Sequence, residues 1–223
     1  MENRTDKLKV YGPEGVSQVT DGFEMAYDLD YGFRSKHHGE AIAPRNYGGF
    51  NANVIDLNKP VLFNNGDLKI TAFKVIHEPI EPALGYKFEY KGRSLVITGD
   101  TSYSQSVIDN SRDVDVLFHE AQANHMVAVI ENFALQNGAK LRAKLMSDIK
   151  TYHTTLIEAA DIANKAGVKK LVFYHLTPAP RNYLTELMFV RGVDEVRKDW
   201  LLAKDGTLLV LPVDSDEIIV STM

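Results

Sequence analysis

Along this chain the spacing of apolar and polar residues changes twice, and each change predicts a different kind of element. Residues 8–11 alternate as a short strand, closed by Gly12-Pro13. Val16, Val19, Phe23, Ala26 and Tyr27 then recur at helical spacing behind Pro13, which predicts a helix over 13–30. Residues 31–53 carry Gly, His, Arg and Asn without a period and read as a long loop, a length that is often functional. From 54 onward the pattern turns to β. Strands are expected at 53–57, 61–63, 68–75, 85–90 and 94–98, with hairpin turns at Asn64-Asn65-Gly66-Asp67 and Tyr90-Lys91-Gly92-Arg93. Residues 114–118 read as a buried strand. A helical stretch over about 122–147 follows, broken at Asn137-Gly138. Another helix is expected over about 154–166, with Thr154 or Thr155 as N-cap, Glu158 in its first turn and Gly167 as its stop. A buried strand at 170–174, a helix at 184–198 and strands at 207–212 and 217–221 complete the reading. A strand meander followed by strand–helix–strand units predicts layered α/β architecture.

Composition adds mostly exclusions. The 223 residues suit one domain spanning 1–223, and 44% hydrophobic with 25% charged residues is an ordinary globular balance. A formal net charge of −5 argues against a dedicated nucleic-acid binder without excluding a local basic patch. The absence of cysteine rules out disulfides and thiolate metal sites, so any metal must be held by His, Asp or Glu. No apolar run reaches the ~20 residues of a membrane helix, and the polar start at Met1-Glu2-Asn3-Arg4 is not a signal peptide. As written, the chain reads as cytoplasmic.

Four polar positions sit at or just past expected strand ends: His77, Asp100, His119-Glu120 and His175. Rigid strand ends in layered α/β folds aim side chains into one crevice. Imidazoles and a carboxylate are good ligands for Zn²⁺ and similar ions, and an aspartate can bridge two metals about 3.5–4 Å apart. Each residue also has an ordinary reading. A lone strand-end histidine is usually a polar terminus, Gly-Asp-Thr is a common turn, His119-Glu120 could be a surface pair, and His37-His38 could be loop decoration.

Order and spacing together are more specific. The series His77, Gly85-Tyr86, Gly92-Arg93-Ser94-Leu95-Val96-Ile97-Thr98-Gly99-Asp100-Thr101, Asp115-Val116-Leu117-Phe118-His119-Glu120-Ala121, His153-Thr154-Thr155 and Leu171-Val172-Phe173-Tyr174-His175 resembles the metallo-β-lactamase superfamily. It is most similar to the branch of ribonuclease Z and its arylsulfatase-like and phosphodiesterase-like relatives. The opening Tyr11-Gly12-Pro13 fits the same branch. The resemblance implies an αββα sandwich, with His77, Asp100 and His175 as metal ligands and Asp100 bridging. It also implies His153 as the histidine that assists the leaving group, and two Zn²⁺ per complete site, with Mn²⁺ or Fe as alternatives. Glu120 is expected to orient His153 by a hydrogen bond.

The departure is equally specific. The family's His-x-His-x-Asp-His loop, which supplies four ligands, is nowhere in the chain, and His37-His38 has the wrong spacing. In the family that loop precedes the Tyr-Gly-Pro segment. The expectation is therefore an αββα fold incomplete at its N-terminal side, the C-terminal two-thirds of the whole, with any export signal in the missing part. Such a chain is expected to be unstable or to aggregate or dimerise, and to be catalytically impaired alone. The main functional expectation is a metal-dependent hydrolase of small phosphodiesters, sulfate esters or carboxylic esters. Ribonuclease Z proper, cutting tRNA precursors, ranks second. The short span from Gly85 to Asp100 leaves no room for a long tRNA-gripping arm, the charge is acidic, and Leu176-Thr177-Pro178-Ala179-Pro180 departs from a tRNA-processing continuation. A non-catalytic remnant paired with a separate N-terminal chain is the third reading. The loop containing Arg34, His37, His38, Arg45 and Tyr47 could contact an anionic substrate or be a solvated insertion. Arg181 and Tyr183 could touch substrate or cap the next helix.

Overall fold

The computed structural model describes residues 5–223, so the reading of Met1–Arg4 lies outside the described residues. The chain divides into two compact units, at Leu62/Phe63.

The first unit pairs strand β1 (Leu8–Gly12) in parallel with β2 (Phe50–Val54), and helix α1 (Val16–His38) connects them. The expected loop at 31–53 is helical in its first third, through His38. Gly32 reads as a stop, yet α1 runs through it, aided by the Arg34–Asp30 ion pair one turn apart. Its last turn carries Lys36, a cation that suits the negative end of the helix dipole, and Gly39 at φ 79° ends it. The expected apolar face of α1 is also corrected. Val19, Phe23 and Tyr27 are exposed, whereas Thr20 and Ser35 are buried. The polar flank is the one held down, because Glu24 accepts both the Phe50 N–H of β2, at 2.6 Å, and the Lys7 ammonium, at 2.9 Å. Arg45 pairs with Asp28 of α1, and the Tyr47 side chain lies outside what is described.

A seven-stranded sheet, in the second unit except for the first two residues of its edge strand, runs in sequential order: β3 (Val61–Asn64), β4 (Leu68–His77), β5 (Ile80–Tyr90), β6 (Arg93–Ile97), β7 (Val116–Gln122), β8 (Lys170–Thr177) and β9 (Trp200–Leu202). Strands β4–β5–β6 are an antiparallel meander, and β6–β7–β8–β9 run parallel. The parallel connections carry α2 (Gln105–Asn110), then α3 (Asn124–Gln136), α4 (Lys140–Asp148) and α5 (Leu156–Lys165), then α6 (Tyr183–Phe189) and α7 (Val193–Val196). A separate ribbon joins β10 (Thr207–Val210) to β11 (Ile219–Thr222). The short α2 and β9 escaped the periodicity reading because neither is long enough to show a period. The Lys91-Gly92 turn closes its hairpin with both residues at positive φ, 45° and 80°, as the sequence led one to expect.

One face of the sheet makes the core. Phe73, Val75, Val96, Leu117, Leu171 and Phe173 pack there with Val107 and Ile108 of α2 and with Leu156, Ala159 and Ile162 of α5. Gly85 is required on this face, because an added Cβ would lie 2.5 Å from the ring of its cross-strand partner Phe73. Among the described residues no helix is long and apolar enough to cross a membrane.

Candidate active site

Two breaks in strand register shape the site. Between Val75 and His77 the β4–β5 ladder slips, so that His77 pairs with Ile80. Between Glu120 and Ala121 the β7–β8 ladder slips as well: Tyr174 faces Glu120 and Leu176 faces Ala121, leaving His175 as the extra residue. His175 takes the left-handed conformation, φ 46°, a strained state for a residue with a Cβ. Bulges bend a strand and re-aim a side chain, and they concentrate next to active sites. Asp100 is positioned differently, on the loop after β6. The preceding Gly99 has φ 67°, and a Cβ there would meet the Leu84 carbonyl oxygen at 2.6 Å. Only glycine lets the chain turn at that point.

The structure brings all five expected residues into one neighbourhood. His175 Nε2 lies 3.2 Å from Asp100 Oδ2. The rings of His77, His153 and His175 form a row, with centroids 5.5 Å apart for the first pair and 5.9 Å for the second. His77 Nδ1–H donates to the Tyr152 carbonyl at 3.0 Å, which leaves its Nε2 as the free ring nitrogen. His153 Nδ1–H donates to Glu120 Oε1 at 3.1 Å, with the same consequence. His119-Glu120 is not a surface pair: both residues are fully buried within β7. The Glu120 carboxylate also accepts the backbone N–H groups of Thr154, at 2.9 Å, and Thr101, at 3.3 Å. One buried anion thus ties the Gly-Asp-Thr loop to the His153 segment. That segment is fixed on its other side by the α5 capping box, in which Thr155 Oγ1 accepts the Glu158 N–H and Glu158 accepts the Thr155 N–H.

Burial alone would push the His153 pKa down. The Glu120 hydrogen bond and charge, with Asp100 adding to them, outweigh it and raise His153 above an ordinary histidine. His119 goes the other way: burial in the core disfavours its charge more than its hydrogen bond to the Glu120 carbonyl, at 2.7 Å, supports it. Its Nε2, together with Glu120 Oε2 and Gln122 Oε1, is buried without a partner among the described residues.

Sequence reasoning missed Tyr152. Its carbonyl fixes His77, and its ring stands edge-on to His77 at 5.2 Å and tilted against His153 at 4.9 Å. Its place immediately before His153 was the available signal. Tyr183, by contrast, opens α6 exposed, and Asn182 is the residue that caps this helix. A cleft of about 520 Å³ opens beside His175.

The donors are chemically suited to a divalent metal, since they are imidazoles and a carboxylate, and the outer nitrogen of His77 is held by the Tyr152 carbonyl. Their number does not fit. Only Asp100 and His175 are in contact, and among the described residues no three His, Asp or Glu side chains converge closely enough to hold one ion.

The profile of the family described as "Beta-lactamase superfamily domain" matches residues 2–176. Ribonuclease Z of Mycobacterium marinum is 30% identical over 172 residues, covering 77% of this chain and 56% of that protein. Ribonuclease Z of Mycobacterium tuberculosis is 28% identical, covering 77% and 57%. The chain therefore spans a little over half the length of these relatives. Among solved structures, the metallo-β-lactamase fold protein YhfI from Bacillus subtilis superposes with a TM-score of 0.56, 19% identity, and coverage of 89% of this chain and 63% of that one. A long form RNase Z from yeast gives 0.50, 14%, 91% and 28%. At these identities the superpositions speak for the fold alone.

Proposed function

Because the chain belongs to the β-lactamase superfamily, we propose that it is the part of a ribonuclease Z-type phosphodiesterase that carries Asp100, His175, His77 and the His153–Glu120 pair. The relatives named ribonuclease Z support this over the small-molecule ester hydrolase that the acidic composition favours, and they make RNA the substrate class to test first. The observation that carries the reading is the contact of His153 with Glu120 at 3.1 Å beside the Asp100–His175 pair at 3.2 Å. A histidine held by Nδ1, with its pKa raised, is suited to give a proton through Nε2 to a departing oxygen. Glu120 is the positioning residue that keeps the ring in this tautomer.

Zinc is the metal typical of this family, and among the described residues no three His, Asp or Glu side chains gather to hold it. In this reading the remaining ligands come from polypeptide other than the described residues. The direct test is incubation of the chain with Zn²⁺ and a 3′-extended tRNA precursor, alone and with a polypeptide bearing the family's His-x-His-x-Asp-His segment. Cleavage is expected only with the second polypeptide and is lost in Asp100→Ala. Hydrolysis of aryl sulfates or carboxylic esters without RNA cleavage would sink the assignment. The absence of a three-donor cluster among the described residues also favours a second reading, a non-catalytic remnant. Failure of zinc to bind even the combined polypeptides would support it.

A further inference from the structure

The cleft beside His175 has a chemical character of its own. Its volume, about 520 Å³, lies in the range of small-molecule pockets, roughly 300–1,000 Å³. Leu176, Ala179, Pro180, Leu202 and Ala203 give it apolar walls. Its rim is acidic. Glu186 and Asp205 stand against a single cation, Lys204, and that ammonium is already paired with Glu186 at 2.7 Å. Two carboxylates against one ammonium repel a phosphate, so this is not an anion pocket. Apolar walls beside hydrogen-bond acceptors instead suit an uncharged, flat, amphipathic group whose edge donates hydrogen bonds.

His175 connects the cleft to the proposed chemistry. It lines the cleft, touches Asp100, and its ring is 5.9 Å from that of His153. A group seated in the cleft therefore adjoins the reacting bond.

We propose that this cleft is a nucleobase subsite for the nucleotide next to the scissile phosphodiester, and that it selects bases whose amino group sits at pyrimidine C4 or purine C6, cytosine or adenine. The proposal rests on the phosphodiesterase reading and names the substrate feature this site reads. The carboxylates of Asp205 and Glu186 accept from the amino group, the match that acidic side chains make with cytosine N4. The apolar walls take the ring face, a contact every base can make. Uracil presents a carbonyl at the same position and leaves the acceptors unmatched.

The test uses the full chain with methyl-labelled leucine and alanine, titrated with cytidine and with uridine and followed by NMR. These nucleosides carry no phosphate, so the readout is independent of metal and of hydrolysis. Saturable shifts are expected at the Leu176, Ala179, Leu202 and Ala203 methyls. Cytidine should bind at least threefold more tightly than uridine. Ala203→Phe should remove the shifts, with the core methyls of Leu117 and Leu171 unmoved as a check on folding. Asp205→Asn, an exposed change, should erase the preference for cytidine. Equal affinity for both nucleosides, shifts elsewhere on the chain, or no saturation would overturn the subsite. Nucleoside binding without RNA cleavage by the combined polypeptides would retain the subsite and discard the phosphodiesterase reading.

Discussion

Glu120 serves two histidines that titrate in opposite senses. Its side chain raises the pKa of His153, while His119, next to it in sequence, is buried and lowered. In the folded chain His119 takes up a proton less readily than in the unfolded chain. Below about pH 6.5 the unfolded state therefore binds more protons, and stability falls as the pH drops through that window, by up to about 1.4 kcal/mol per pH unit for one site. Glu120 and Glu158 are the charged groups whose fields bear on His119, and neither reverses the effect of burial. Urea unfolding at pH 5 and 6, below the window in which the raised His153 acts with the opposite sign, should show the decline, and His119→Gln should flatten it. A second expectation concerns catalysis. In the assembled hydrolase, His153→Ala should lower kcat by about 10²–10⁴-fold with KM little changed, the usual contribution of general acid–base catalysis. A KM effect alone would reduce His153 to a binding residue. The residues that gather at the site were legible in the sequence because several belong to local strings, such as Thr98-Gly99-Asp100-Thr101 or His153-Thr154-Thr155. The carbonyl that orients His77 was not, because backbone groups carry no sequence signal.

At the scale of elements, strand existence was readable and strand register was not. Alternation predicted β4 and β8, but nothing in the side-chain pattern announces the slips at Ile76 and His175, which depend on what the partner strand offers. The helix end at His38 was misread for a related reason: Gly32 costs a helix about 1 kcal/mol, and local pairs such as Arg34–Asp30 help to offset it. The Gly99 turn lends itself to a measurement. Gly99→Ala would force a Cβ into the left-handed region and against the Leu84 carbonyl, so destabilisation above about 1 kcal/mol is expected in urea unfolding. The segment 212–217 depends on Arg93 in the same way. This buried guanidinium pairs with Asp115 at 3.2 Å and donates to the carbonyls of Pro212, at 3.0 Å, of Glu217, at 3.0 Å, and of Ser215. Burial works against the charge of Asp115, but the Ser94 N–H, Lys169 and Arg93 together hold its pKa below the usual carboxylate range. Removing one partner of a buried pair costs about 3–5 kcal/mol. Arg93→Ala should therefore lower the urea midpoint sharply and open residues 212–217 to protease.

For the whole molecule, metal affinity follows from the shortage of donors. Dialysed against micromolar zinc, the chain alone should retain well below two metals by elemental analysis, and tight retention of two would refute that shortage. The motif order made the family readable from the sequence. The exposure of Val19, Phe23 and Tyr27 was not readable, because periodicity marks an apolar stripe without saying what covers it.

The extra residue at position 175 carries a further implication for how the chain tolerates change. Every side chain beyond it in β8 owes its facing to that one surplus position. A deletion of a single residue there would exchange the two sides of the strand's end, sending Leu176 and Thr177 to opposite surfaces. The imidazole and the lining of its neighbouring cleft would be lost in one stroke. Substitutions nearby can be graded in their effect, but a change of length at this point is all or nothing.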